Sequence, residues 1–265
     1  MLGRFSQRIF MGHAQRQLLK SGVPIFAYHK IALPPAATRD SFLYVSPGEF
    51  EAQLAELERA GFSSAALDEL VPRAKVAENA SCLAEKAVIT FDDGFRSVLE
   101  NGLESLSRHK FHAIQFLVAG MLGKKNAWDV AKGDVAEDLM DEIQIREWIA
   151  AGHEIGSHSN THRNLRHLSA AEAREEISGS KKSLEDRFGI EVRHFCYPYG
   201  SWNEAVRDLA AEAGYRSACS LVFGVNEPMT PAYELRRIIP LSNGEMARKI
   251  RHRLARKLGA WLGAN

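Results

Sequence analysis

Two short groups of residues in this chain have the types and spacing for hydrolytic chemistry. Thr90-Phe91-Asp92-Asp93-Gly94 sets adjacent carboxylates at the end of the apolar run Ala87-Val88-Ile89, and His158-Ser159-Asn160-Thr161-His162 spaces two imidazoles four residues apart. Two histidines and one aspartate leave coordination positions open for water, the composition of a catalytic rather than a structural metal site. The remaining carboxylate is then free to act as a base toward that water. Imidazoles at i and i+4 face one way if the segment is one helical turn. A structural alternative makes the aspartates caps of the following helix and the histidines surface loop residues.

The elements that must position these groups read as alternating strands and helices. Strands are expected at Val23–Tyr28, with His29 at its end, at Ala87–Phe91 and at Ala113–Val118, the last apolar almost throughout, as in a parallel strand covered on both faces. Glu154-Ile155-Gly156-Ser157 runs into the histidine pair, and further strands are expected at His194–Tyr197 and Ser217–Leu221. Helices are expected from Ser46 to Ala60, Phe95 to His109, Asp141 to Ala151, Ser169 to Phe188 and Asn203 to Ala213, with Ser46/Glu49 and Ser169/Glu172 as capping boxes. Gly120–Leu139 reads as a polar loop insertion around Trp128. The alternation is that of repeated βαβ units. Asp92/Asp93, His158 and Tyr199 all follow strands, the face on which barrels of this kind carry their active sites.

The chain has 265 residues, a length that one α/β barrel commonly fills, and a net charge of +1, which offers no global field for nucleic acid. Its three cysteines, Cys82, Cys196 and Cys219, suit a reducing compartment. The first 20 residues are punctuated by Arg4, Arg8, Arg16 and Lys20, unlike the apolar core of a signal peptide. These features lead to the expectation of a cytoplasmic protein.

The two motifs, in this order and each after an expected strand, resemble those of the polysaccharide deacetylases (NodB-homology domain, carbohydrate esterase family 4). The resemblance runs from about Val23 to Leu241 and implies a distorted, incomplete (β/α) barrel of about seven parallel strands. It implies Asp93, His158 and His162 as ligands of one divalent metal, zinc first, with cobalt, nickel or iron also compatible with this donor set. It implies Asp92 as general base. Pro198-Tyr199-Gly200 resembles the family's third motif, in which the tyrosine N–H contributes to an oxyanion hole. The arginine expected before that proline is absent, and Cys196 stands in its place as a small buried filler rather than a nucleophile. Tyr197-Pro198-Tyr199-Gly200 is similar to a subgroup that deacetylates the poly-N-acetylglucosamine of biofilms. The family's late Leu-x-His motif is also missing, and Leu235-Arg236-Arg237-Ile238 stands near its position. In the biofilm subgroup the general acid comes instead from the first strand, which makes His29 of Tyr28-His29 the candidate proton donor. Arg237 is a candidate to tune Asp92 in place of the lost arginine, or a surface arginine. Trp128 and Tyr199, with Pro198, are candidates to contact a sugar ring, and Trp128 equally to pin the insertion.

The chain divides into a basic N-terminal segment (1–22), the deacetylase-like domain (23–242) and a basic C-terminal helix (243–265). In the last, Met246, Ile250, Leu254, Leu258 and Leu262 recur every four residues among arginines and lysines. This pattern suits an anionic inner-membrane surface, as do Phe5, Ile9, Phe10 and Met11, or else a stripe packed on the barrel. The resemblance implies hydrolysis of N-acetyl groups on N-acetylated oligo- or polysaccharides in assembly of a surface or adhesive polysaccharide; if the basic helix meets the membrane, a lipid-linked oligosaccharide at the inner leaflet becomes the natural substrate. Deformylation of a lipid-linked amino sugar, O-ester hydrolysis and a non-catalytic carbohydrate-binding scaffold are the competing readings. The oligomeric state is left open.

Overall fold

Near-continuous apolar runs such as Ala87–Phe91 and Ala113–Leu117 pack on both faces only when helices cover one side and other strands the other. A computed structural model describes residues 13–71 and 85–240 and shows this arrangement. Strands β1 (Ile25–Tyr28), β2 (Lys30–Ile31), β3 (Tyr44–Val45), β4 (Ser63–Ser64), β5 (Lys86–Phe91), β6 (Ala113–Leu117), β7 (Glu154–Ser157), β8 (His194–Cys196), β9 (Ser217–Phe223) and β10 (Leu235–Arg237) follow in chain order. The main sheet runs β1-β5-β6-β7-β8-β9-β10 with every neighbour parallel. β4 extends from β5, and β2 pairs with β3 as a separate ribbon. The outer strands meet through a bridge from Phe26 to Ile238, with Ala27 N–H donating to Ile238 O at 2.9 Å and Ile238 N–H to Ile25 O at 2.8 Å. The result is a seven-stranded, nearly closed (β/α) barrel with a thin seam, as the resemblance implied.

The helices are α1 (His13–Lys20), α2 (Pro47–Arg59), α3 (Leu67–Leu70), α4 (Arg96–Arg108), α5 (Ala127–Val130), α6 (Glu142–Ala150), α7 (Ala170–Arg174), α8 (Ser180–Phe188) and α9 (Glu204–Glu212). Capping boxes form at Ser46/Glu49, Asp141/Gln144 and Ser169/Glu172, each satisfying orphan N–H groups of a first turn. The stretch from Ser169 to Phe188 departs from a single regular helix: a π-helical turn at Glu175–Gly179 separates α7 from α8. The insertion 120–139 carries the short helix α5. Helix α4 starts at an N-cap, Phe95, with no side-chain cap, so neither aspartate is diverted to capping it.

Side chains alternate sides along a strand, and this decides which residues reach the barrel interior. Ile25, Val88, Ile114, Phe116, Cys196, Cys219 and Leu235 form an apolar cluster of their own, separate from the larger one that packs strands on helices. Continuing the two-residue step from these positions leads to His29, Asp92, Cys196 and Arg237 at the strands' C-terminal ends. Gly156 sits on the same inner face: a Cβ there would fall 2.5 Å from the Phe116 ring. Two residues on is His158.

In the described part of the N-terminal segment, α1 buries Leu18 and Leu19 in the larger cluster. Phe5, Ile9, Phe10, Met11, Cys82 and the C-terminal segment 243–265 lie outside the described residues. Among the described residues no helix is long and apolar enough to cross a membrane.

Candidate active site

Asp93, His158 and His162 converge at the C-terminal end of β5 and β7, each nearly fully buried. Asp93 Oδ1 lies 3.1 Å from His162 Nε2 and 3.4 Å from His158 Nε2, yet makes no well-directed hydrogen bond and is an orphaned buried acceptor. Bonds of ~2.1 Å at tetrahedral angles would hold donors ~3.4 Å apart, so these spacings suit the edges of a tetrahedron around a zinc-sized ion. The three residues therefore fit the implied metal. His158 Nδ1–H donates to the Cys196 carbonyl at 2.7 Å, which leaves Nε2 with its lone pair free toward Asp93. Burial pulls the His158 imidazole down to about 4, outweighing Asp92 and Asp93, and keeps it neutral as a ligand must be. Burial pushes the Asp93 carboxyl up, but the neighbouring His162 and His29 outweigh this and bring it well below the usual range.

The two histidines do not share a helical turn. Residues 158–162 form a loop in which Ser159 (φ 66°) and His162 (φ 61°) are left-handed, and this brings the rings to 4.9 Å between centroids. Asp93 (φ 74°) and Tyr199 (φ 60°) are left-handed too, so four of the six such non-glycine residues among those described stand at this site. Such conformations cost roughly 1–3 kcal/mol each and persist where surrounding structure over-determines them.

The Asp92 carboxylate, within 4.8 Å of a His158 ring nitrogen, is held by Arg237. The guanidinium reaches both oxygens of the carboxylate, Nη1 to Oδ1 at 2.7 Å and Nη2 to Oδ2 at 2.8 Å. Nη1 also donates to Thr90 Oγ1 (3.1 Å), Nη2 to Cys196 Sγ (3.0 Å) and Nε to Ser220 O (2.8 Å). Arginine has five N–H donors, and these five contacts account for all of them. Arg237 is thus a fully buried partner of Asp92 rather than a surface residue. A register shift between Leu235 and Arg237 accompanies its placement on β10, a strand with no apolar run to announce it. Burial pushes the Asp92 carboxyl up, and the Arg237 charge and hydrogen bonds, with His29, more than offset it, to about 2. Cys196, beside this pair, is a buried thiol pushed well up by burial and by Asp92 despite Arg237, which leaves it protonated and unreactive.

His29 follows β1 with its Nε2 3.8 Å from Asp92 Oδ2, mostly buried, on the seam side of the site. Pro198 and Tyr199 form a tight turn after β8, closed by Gly200 N–H donating to Tyr197 O at 2.8 Å. Gly200 is needed there, since a Cβ would fall 2.5 Å from Leu221. Trp128 stacks on His162 at 4.4 Å, and Tyr199 meets the same ring edge-on at 4.6 Å. Trp128 therefore spends one face on a candidate ligand. Two contacts were not anticipated from sequence. Lys132 of the insertion donates to the Tyr199 hydroxyl at 3.0 Å and lies over its ring, and Glu176 bonds the histidine loop. Neither belongs to a recognisable motif.

Residues 82–218 match the polysaccharide deacetylase family, a span of just over half the chain. The chain is 26% identical over 224 residues to YxkH of Bacillus subtilis, covering 82% of this chain and 70% of that protein. It is 30% identical over 145 residues to a chitooligosaccharide deacetylase of Azorhizobium caulinodans, covering 54% of this chain and 60% of that one. The fold is similar to the Streptococcus pyogenes deacetylase PplD in complex with acetate, with a TM-score of 0.70 and 20% identity over 87% of this chain and 97% of that one. The match of residues 82–218, borne on the nearly closed parallel barrel and the paired motifs at its C-terminal face, establishes that the chain belongs to the polysaccharide deacetylase family of enzymes.

Proposed function

We propose that this protein hydrolyses N-acetyl groups on N-acetylglucosamine-type sugars, with Asp93, His158 and His162 holding one divalent cation, zinc foremost. The observation that carries this reading is the donor triad, with Asp93 Oδ1 3.4 and 3.1 Å from the two imidazole nitrogens, beside a buried, ionised carboxylate that is not one of its members. The relative named as a chitooligosaccharide deacetylase supports an N-acetylated sugar as substrate. Cobalt, nickel and iron also suit two imidazoles and a carboxylate.

When bound, the cation supplies Lewis-acid polarisation of the acyl carbonyl and an acidified water. Asp92 accepts the proton of the attacking water. Its basicity is low, so its role is to be ionised at every working pH and held in one orientation by Arg237. The Tyr199 backbone N–H, on a rigid turn, faces the oxyanion that develops. His29 donates a proton to the departing amine nitrogen, the C–N bond breaks, and acetate and a free amino sugar result. The Trp128 edge and the Tyr199 ring offer a platform for the sugar; Pro198, expected to share in it, is buried and stiffens the turn beneath Tyr199 instead.

In the same reading the substrate is a polysaccharide or lipid-linked oligosaccharide in surface or adhesive polysaccharide assembly, reached from the cytoplasmic face of the membrane. The Tyr-Pro-Tyr-Gly turn and the basic amphipathic pattern of 243–265 support this. A degenerate scaffold drew its support from the missing arginine, and Arg237 supplies that charge from β10 instead.

Metal-loaded protein is to be offered N-acetylated, N-formylated and O-acetylated oligosaccharides of equal length, with released acid and new primary amine both counted. Acetate matched by amine from the N-acetyl substrate is expected to lead. Preference for the N-formyl or the O-acetyl substrate would replace this reading with a deformylase or an O-esterase.

A further inference from the structure

We propose that Glu176 is a positioning residue that fixes the histidine loop and thereby the direction in which His162 presents Nε2. The inference rests on the metal-site reading above and assigns a part to a residue outside both motifs.

His162 is the ligand whose ring is least held by hydrogen bonds. His158 is locked by its Nδ1–H to Cys196 O, whereas His162 Nδ1 is buried without a hydrogen-bonding partner. Metal-bound histidines usually have the second nitrogen fixed by a partner. The orientation of His162 must therefore come from its backbone and from the Trp128 and Tyr199 rings that pack on it. That backbone is an irregular loop with left-handed residues at Ser159 and His162, which has no secondary structure of its own to hold it.

Glu176 supplies the restraint. Its Oε2 accepts the Asn160 N–H at 2.9 Å and the Thr161 N–H at 2.8 Å, and its Oε1 accepts the Thr161 hydroxyl. Hydrogen bonds to an ionised acceptor are roughly twice as strong as neutral ones. On the other side, Gly120 N–H donates to Asn160 O at 2.9 Å and Ala119 N–H to Ser159 O at 3.0 Å. Gly120 allows that approach, because a Cβ there would sit 2.7 Å from Asn160 O. Ser159 Oγ accepts the His162 N–H at 3.0 Å and closes the loop.

Glu176 lies in the π-helical turn, the one irregularity of its helix. Such turns occur often at functional sites. Here the turn is anchored to the strand that carries the histidines. Ile177 O accepts from Ser180 Oγ (2.9 Å) and Tyr215 OH (3.0 Å), and Ser180 Oγ is 2.7 Å from Ser157 Oγ on β7. Strand, turn and loop form one hydrogen-bonded frame with Glu176 at its centre.

The test is metal binding by the full chain, titrating stripped protein with zinc against a chromophoric chelator and recording the visible spectrum of the cobalt form. Glu176→Gln is expected to weaken zinc binding by about 10- to 100-fold, the range for outer-shell partners of metal ligands. It should also alter the cobalt band. Thr161→Val removes only the hydroxyl contact and should fall between, and it serves if Glu176→Gln fails to fold. Glu172→Gln on α7, whose carboxylate caps Ser169 and pairs with Arg163, should change thermal stability without changing zinc affinity or the cobalt spectrum. Wild-type affinity and spectrum in Glu176→Gln, or in Thr161→Val if the first does not fold, would overturn the proposal. Failure of wild type to bind either metal would overturn the metal reading itself, a distinguishable result.

Discussion

Arg237→Met is expected to unfold at a markedly lower denaturant concentration than wild type and to lose nearly all activity. Asp92 would remain buried with its hydrogen-bonding fork removed, and breaking a buried ion pair from one side costs about 3–5 kcal/mol. The pH dependence has a definite sign. In wild type the Asp92 pKa is depressed to about 2, so the pair's contribution is present above the unfolded carboxylate range near 4 and is lost as pH falls from there through about 2. Without Arg237 the burial effect stands less opposed, and the carboxyl moves up. The mutant's deficit should therefore be largest at neutral pH and shrink on acidification. Its residual activity should have an acid limb shifted to higher pH, because the base now protonates within the working range. Arg237→Lys should not restore wild-type behaviour, since an ammonium cannot grip both oxygens or fill five donor contacts. Equal denaturation midpoints for mutant and wild type at pH 7 would contradict this account of the pair.

Asp92→Asn is expected to retain metal while amine release falls by about 10²- to 10⁴-fold, the usual contribution of a positioned general base. Retention follows from geometry. Asp92 is gripped by Arg237, while the convergent donors are Asp93, His158 and His162. The variant should also be less stable, because Arg237 is left buried without its counter-charge. Combined with Arg237→Met, the losses should be far from additive, as expected for residues that act as one unit. Metal content measured beside amine release separates the two effects: loss of both would make Asp92 a ligand, and retention of both would deny it the role of base.

The barrel was legible because its strands are short apolar runs at βαβ spacing, between helices that open on capping boxes at Ser46 and Ser169 and stop before Gly61, Gly152, Gly189 and Gly214. The motif residues were legible because their types and spacing form two motifs, each after an expected strand, and the two-residue step carries Asp92 and His158 inward. What was not legible depended on distant chain segments. Leu235–Arg237 has no apolar run, and only the thin β9–β10 pairing makes it a strand, so Arg237 could be named from sequence but not placed. The helical turn expected at the histidines gave way to a loop, because i and i+4 spacing is also met by left-handed residues restrained from outside. That restraint comes from Glu176, in a π-helical turn with no sequence signature. Trp128 was expected either to meet sugar or to pin its loop, and it stacks on His162.

The most direct test of the central claim is to strip the protein of metal, titrate zinc back, and count primary amines released from an N-acetylglucosamine oligomer at each step. The account predicts no release by stripped protein and a rise that saturates at one zinc per chain. Undiminished release by fully stripped protein would contradict it.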